Sequence, residues 1–128
     1  MTRYARMIFA ALFLTGAGIV TSGTASAGEV ESAKLPLPAC AYPYVCLYTS
    51  SQAKVGQFQD VTSGYQNFSR TDIWYAKNTR NDDVAYFRYN DGSIGCIGPN
   101  SEVNLRGGSF AGKIPTGIRI DSSSVCFP

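Results

Sequence analysis

The chain has 128 residues, with 11 Lys and Arg against 9 Asp and Glu, and no histidine. That length allows one domain with a modest core, which disulfides commonly supplement. The missing histidine excludes Ser-His-Asp and Cys-His catalysis and removes the commonest zinc ligand, while the charge balance gives no electrostatic case for nucleic acid or an anionic membrane as partner.

Residues 1–27 read as a cleavable secretion signal. Arg3 and Arg6 precede an apolar stretch from Met7 to Val20, and Ala25-Ser26-Ala27 supplies small residues at the cut. Thr15, Gly16 and Gly18 interrupt the stretch, which is too short to span a membrane. Cleavage after Ala27 removes Arg3 and Arg6, so the remaining basic residues equal the 9 acidic ones. Cys40, Cys46, Cys96 and Cys126 all lie downstream, in an oxidising compartment where a disulfide frame is the default. Residues 28–39 carry Glu29, Glu31, Lys34, Pro36 and Pro38 with little to pack, and predict a flexible arm before a domain over 40–128.

From Cys40 onward the signals are those of strands and turns. Tyr44 to Tyr48 is a short β-prone run, and so is Val84 to Tyr89. Asn90-Asp91-Gly92-Ser93 supplies turn residues, and Ile94 to Ile97 resumes a strand, which together predict a hairpin. Later runs are Glu102 to Leu105, Gly117 to Ile120 and Ser124 to Phe127. Arg70 to Ala76 fits one helical turn, but Ile73-Trp74-Tyr75 fits a strand equally. Short strands with Gly and Asn at the joints predict an all-β sandwich or barrel. The halves 40–80 and 84–128 share a faint pattern of a β run, a polar turn and then Gly56 or Gly95. Two similar antiparallel units of that kind form a double Greek key.

Four cysteines allow three pairings. The five residues between Cys40 and Cys46 suit a local loop, with Pro43 helping the turn, and this leaves Cys96 with Cys126. In the chain-entropy account the short loop contributes roughly 2.4 kcal/mol and the long one roughly 3.7 kcal/mol. With every thiol paired, only carboxylates remain for catalysis: Asp60, Asp72, Asp82, Asp83, Asp91, Glu102 and Asp121. Two of them are the minimum for a glycosidase. Most sit among Asn, Ser, Gly and Thr, where Asp serves turns, so the expectation is a protein without catalysis.

The run Cys40-Ala41-Tyr42-Pro43-Tyr44-Val45-Cys46-Leu47-Tyr48 resembles the opening of a family of secreted bacterial metallopeptidase inhibitors with a βγ-crystallin-like fold. Ala76-Lys77-Asn78-Thr79 with the β run to Tyr89 and the Asn90-Asp91-Gly92 turn is a second similarity, and Gly117-Ile118-Arg119-Ile120 with the late Cys126 a third. The resemblance implies a small secreted, disulfide-bonded Greek-key sandwich whose partner is an extracellular zinc endopeptidase. Separately, the sequence has no heptad, low-complexity tract or amphipathic helix to suggest an oligomer, so a monomer is expected. Calcium-binding members of the wider crystallin group carry two Asn/Asp, two variable positions and two Ser/Thr. The corresponding stretch here, Thr71 to Ala76, keeps one acid, and Gly112 to Gly117 has no carboxylate and holds Lys113. Calcium takes six to eight oxygens, so no tight site and no cofactor are expected.

An inhibitory loop needs a backbone fixed before docking. Cys96-Ile97-Gly98-Pro99 fits: Cys96 pins the chain, Pro99 restricts φ, and Ile97 is a branched apolar side chain, which the resemblance implies for the zinc-peptidase pocket just after the scissile bond. The plainer reading makes Ile97 a core residue on a strand and Cys96 a staple. The alternative function is an extracellular binding module for cell wall or carbohydrate, with Tyr42, Tyr44, Tyr65, Trp74 and Tyr75 as stacking rings, or a toxin-like effector on the same fold. The intact mass of the secreted protein is expected to correspond to residues 28–128 with two disulfides; a mass that retains the first 27 residues removes the cleavage site.

Overall fold

The computed structural model describes residues 37–127; the expected signal segment, the expected arm as far as residue 36, and Pro128 lie outside the described residues. Eight strands follow in chain order: β1 Val45–Tyr48, β2 Lys54–Phe58, β3 Gln66–Asn67, β4 Tyr75–Asn78, β5 Val84–Tyr89, β6 Ile94–Ile97, β7 Ser101–Asn104 and β8 Pro115–Asp121. One 3-10 turn, Gly108–Phe110, precedes β8, and no α-helix occurs among the described residues. No helix there is long and apolar enough to cross a membrane.

The strands form two four-stranded antiparallel sheets, β2-β1-β4-β7 and β3-β8-β5-β6. Each half of the chain keeps its first, second and fourth strands in one sheet and sends its third to the other. Thus β3 joins the sheet of β5, β6 and β8, while β7 joins that of β1, β2 and β4. The faint repeat predicted two like units face to face. The structure has two like units that exchange a strand.

Period-two alternation sets the core. Val45 and Leu47 of β1, Ala76 of β4, Ala85, Phe87 and Tyr89 of β5, Ile97 of β6, and Ile118 and Ile120 of β8 meet between the sheets, with Ile73 and Leu105 from loops. Full burial of side chains such as Phe87, Leu47 and Ile118 stabilises by about 1.5–3 kcal/mol each. Tyr89 stacks on Phe110 with ring centroids 4.4 Å apart, and its hydroxyl donates to the Leu105 carbonyl at 2.7 Å.

The central strand β1 is buried on both faces. Cys46 and Tyr48 point away from the core, into a second cluster that Leu37 covers and Cys40, Tyr44 and Tyr75 flank. The Tyr48 hydroxyl donates to the Pro38 carbonyl at 2.8 Å, so the last residues before Cys40 are docked on this outer face. Both disulfides form as the spacing predicts, Cys40–Cys46 and Cys96–Cys126, each with Cα atoms 5.9 Å apart.

Two expectations are corrected. Ser124 to Phe127 forms no strand: the chain leaves β8 after Asp121 and crosses the outside of its sheet, where Cys126 ties it to β6. Of the stretch 70–76 only Tyr75 and Ala76 enter a strand, because Trp74 N–H bonds to the Tyr48 carbonyl just beyond the β1–β4 ladder. The β5–β6 hairpin is as expected. Gly92 takes φ +83° in the turn, a conformation that glycine adopts without strain, and Ser93 N–H is accepted by Asp91.

Burial pushes the Tyr89 phenol up to about 12. The fold favours the neutral form, so this part of the stability is complete below about pH 10, the unfolded value, and is lost as pH rises toward the folded one. Tyr89→Phe is expected to cost about 0.5–1.5 kcal/mol near neutrality through the lost hydrogen bond. It is also expected to flatten the alkaline decline in urea midpoint. An equal decline in both proteins would clear Tyr89 as its cause.

Candidate functional site

The segment Cys96 to Pro99 begins in β6, which pairs with β5 so that Cys96 faces Tyr86 and Ile97 faces Ala85. Alternation turns Ile97 into the sandwich, where it is 5% exposed within the core. The side chain that a substrate-like reading sends into an enzyme pocket is therefore a core residue in this fold. Cys96 is the staple, bonded to Cys126 on the opposite side of the sheet. Gly98 and Pro99 are half-buried, and their carbonyls accept from Asn78 Nδ2 at 3.0 Å and Ser101 Oγ at 3.0 Å.

The same end of the molecule is fastened by three consecutive residues, Asn78, Thr79 and Arg80. Asn78 is buried, and its amide also donates to the Asp83 carbonyl at 2.9 Å while its oxygen accepts from Arg80 N–H at 3.0 Å. Thr79 Oγ1 donates to the carbonyls of Tyr44 at 2.7 Å and Ala41 at 3.1 Å. Arg80 pairs with Asp83 and donates to the carbonyls of Pro43 at 3.0 Å and Gln59 at 2.8 Å. The Arg80 carbonyl in turn accepts from Asn100 N–H at 3.0 Å, where Asn100 takes φ +50°. These bonds tie the Cys40–Cys46 loop, the β4–β5 turn and the β6–β7 turn into one rigid end. Tyr42 projects from that end, 63% exposed.

A second feature lies on the outside of the β3-β8-β5-β6 sheet. A groove of about 450 Å³ is lined there by Tyr65, Tyr86, Ile94, Arg119, Asp121 and Phe127, together with Gly95 and Cys96. The Arg119 guanidinium lies 4.7 Å from the Tyr86 ring centroid and 5.9 Å from that of Tyr65. Arg88, one rung along β5, covers Tyr65 at 5.0 Å and donates to Asn67 Oδ1 at 2.6 Å. Such stacking leaves the in-plane N–H groups of a guanidinium free to bond. Arg119 Nη1 lies 3.5 Å from Asp121 Oδ2, while Nε, shielded from solvent, has no hydrogen-bond partner among the described residues.

The other aromatic candidates are largely committed to packing. Arg106 covers the Trp74 ring at 4.8 Å and is itself tied to the carbonyls of Ile73, at 2.9 Å, and Thr71. Tyr44 and Tyr75 pack against the outer cluster of the first sheet. Of the five proposed stacking rings, only Tyr65 lines the groove and Tyr42 stands free. In the calcium-motif stretch, Arg70 donates to both oxygens of Asp72, at 2.9 and 2.6 Å, and this hydrogen bonding lowers the carboxyl pKa. Tyr86, Arg119 and Phe127 were not legible as site residues. The one sequence signal for them is Arg119 standing between Ile118 and Ile120, which turns it away from the core.

Asn78→Ala strips two carbonyls and one N–H of their partner at a buried position, and is expected to destabilise the fold by about 2–4 kcal/mol. Thermal unfolding of the variant checks this; a loss no larger than that of an exposed Asn81→Ala would remove Asn78 as the fastening. No family model, curated protein or solved structure matches this chain, so its own geometry carries the functional reading.

Proposed function

We infer that this chain is a secreted, non-catalytic binding protein that inhibits an extracellular zinc endopeptidase. The observation that supports the reading is the strand order. Within each half the fourth strand lies beside the first and the first beside the second, with the third crossing to the other sheet. That order accords with a Greek key in which one strand is exchanged, the arrangement expected of the crystallin-like sandwich of the inhibitor family that the sequence resembles. A fold alone assigns no activity. Rigidity supplies the physical link to inhibition, since a loop held in place before docking loses little entropy on binding.

With Ile97 inside the core, the contact surface in this reading is the fastened end, where Ala41, Tyr42 and Asn100 are exposed. Protease–inhibitor interfaces move little on binding, which suits loops tied by Asn78, Thr79 and Arg80. The absence of histidine and the oxidation of all four cysteines accord with a protein that binds and does not catalyse. Two disulfides and the predicted signal accord with secretion. The groove outside the second sheet favours one other reading, an extracellular binding module that takes a ligand there.

Titration of the oxidised protein against a thermolysin-like zinc peptidase, with a serine protease as control, separates these readings. Stoichiometric inhibition of the zinc enzyme alone is the expected outcome. Inhibition of neither enzyme would overturn the inhibitor reading and leave the binding module.

A further inference from the structure

We propose that the groove outside the β3-β8-β5-β6 sheet binds the free carboxyl terminus of a peptide whose last residue is aromatic or large and apolar, with Arg119 taking the carboxylate. This inference is independent of peptidase inhibition, since the groove and the fastened end involve different residues.

The first argument is the state of Arg119. Its guanidinium carbon lies 4.7 Å from the Tyr86 ring centroid and 5.9 Å from that of Tyr65, and Nη1 faces Asp121, whose Oδ1 accepts from Ser123 N–H at 3.0 Å. The residue is thereby positioned by four others. What remains open to the groove is the rest of the guanidinium: the side chain is 29% exposed and its pair with Asp121 is as long as 3.5 Å, whereas Nε is shielded from solvent. The N–H groups of a guanidinium match the two oxygens of a carboxylate, so an anion in the groove is favoured beside Arg119.

The second argument is the rim. Ile94, Val125 and Phe127 are 55%, 56% and 62% exposed. The Cys96–Cys126 bond brings the segment of Val125 and Phe127 to β6, which carries Ile94, and the backbone N–H of Phe127 is held by the Tyr86 hydroxyl at 3.1 Å. Ile94 and Phe127 line the groove with the ring of Tyr65. Clustered apolar side chains of this size beside a polar contact mark an interaction site, whereas single exposed ones do not. A volume of about 450 Å³ suits a ligand of one or two residues and not a folded partner.

Charge selects the sign of the ligand. Among the described residues Arg88 and Arg119 lie on this face against Asp121, which leaves one positive charge over beside the rings. A neutral glycan would use the rings but would leave the guanidinium edge without its matching pair of acceptors. A carboxylate joined to an apolar side chain uses both, and the rim extends the apolar contact beyond a single ring, which favours a peptide end over an isolated aromatic acid.

The test uses the purified, disulfide-bonded protein and two probes, N-acetyl-leucyl-phenylalanine with a free carboxylate and the same dipeptide as its C-terminal amide. Amide-resolved NMR titration is expected to show saturable shifts for the acid, confined to the backbone near Tyr65, Tyr86, Ile94, Arg119 and Phe127. The amide is expected to bind roughly tenfold or more weakly, the loss of one charge-assisted pair. Arg119→Gln should abolish the preference for acid over amide while the NMR spectrum stays that of a folded protein, and Ile94→Ser should weaken both probes. Equal binding of acid and amide, no binding of either at millimolar concentration, or an acid preference that survives Arg119→Gln would each overturn the proposal. So would concentration-dependent self-association through Ile94 that excludes the probes, since a second copy would then be the occupant.

Discussion

A strand buried on both faces needs a cover on each. The strand β1 has the other sheet on one side, and without Leu37, Pro38 and Cys40 its outer residues Cys46 and Tyr48 would face water. The second sheet poses the same problem at Tyr86 of β5, and there the segment ending in Cys126 and Phe127 provides the cover. Each cover is a segment flanking the strand-bearing region, and each is held by one disulfide to the sheet it shields. This explains why a domain of this size carries two disulfides and where they lie. The bonds do more than shorten the unfolded chain, because they keep in place segments with no ladder of their own.

The two covers are not equally complete. Leu37 is buried against the first sheet, whereas the segment over the second leaves Val125 and Phe127 largely exposed beside Ile94. The groove exists because of that inequality. Its polar wall is Arg119, which a strand alternating Ile118, Arg119 and Ile120 must direct outward. One pleat thus supplies the core with two isoleucines and the surface with a guanidinium.

How much of this was legible in the sequence follows from where the β signals were strong. The strands β1, β5, β6 and β8 carry β-branched or aromatic runs and were found, together with the hairpin turn and both disulfides. The strand β2, Lys54–Phe58, mixes Lys, Gly and Gln because it lies at a half-exposed edge, and β3 is two residues long, so neither gave a pattern to find. Ser124 to Phe127 misled for the opposite reason: its apolar residues cover a sheet and do not extend one. Ile97 carried both a surface and a core reading, and the register opposite Ala85 decides for the core. Of the groove only Tyr65, as a stacking ring, and the outward Arg119 left a trace in the sequence, since Tyr65, Tyr86, Ile94, Arg119 and Phe127 come from five separate stretches of chain.

The exchange of third strands bears on how such a molecule can be divided. Neither half, taken alone, has a complete sheet: the first lacks the strand that lies outside β4, and the second lacks the one that lies outside β8. A cut in the turn between β4 and β5 would give two pieces that regain their sheets only by reassociating. By the same topology, two copies of one half could complete each other as a twofold-symmetric pair, each lending the strand its partner lacks. The sandwich is in that sense a closed dimer written as a single chain.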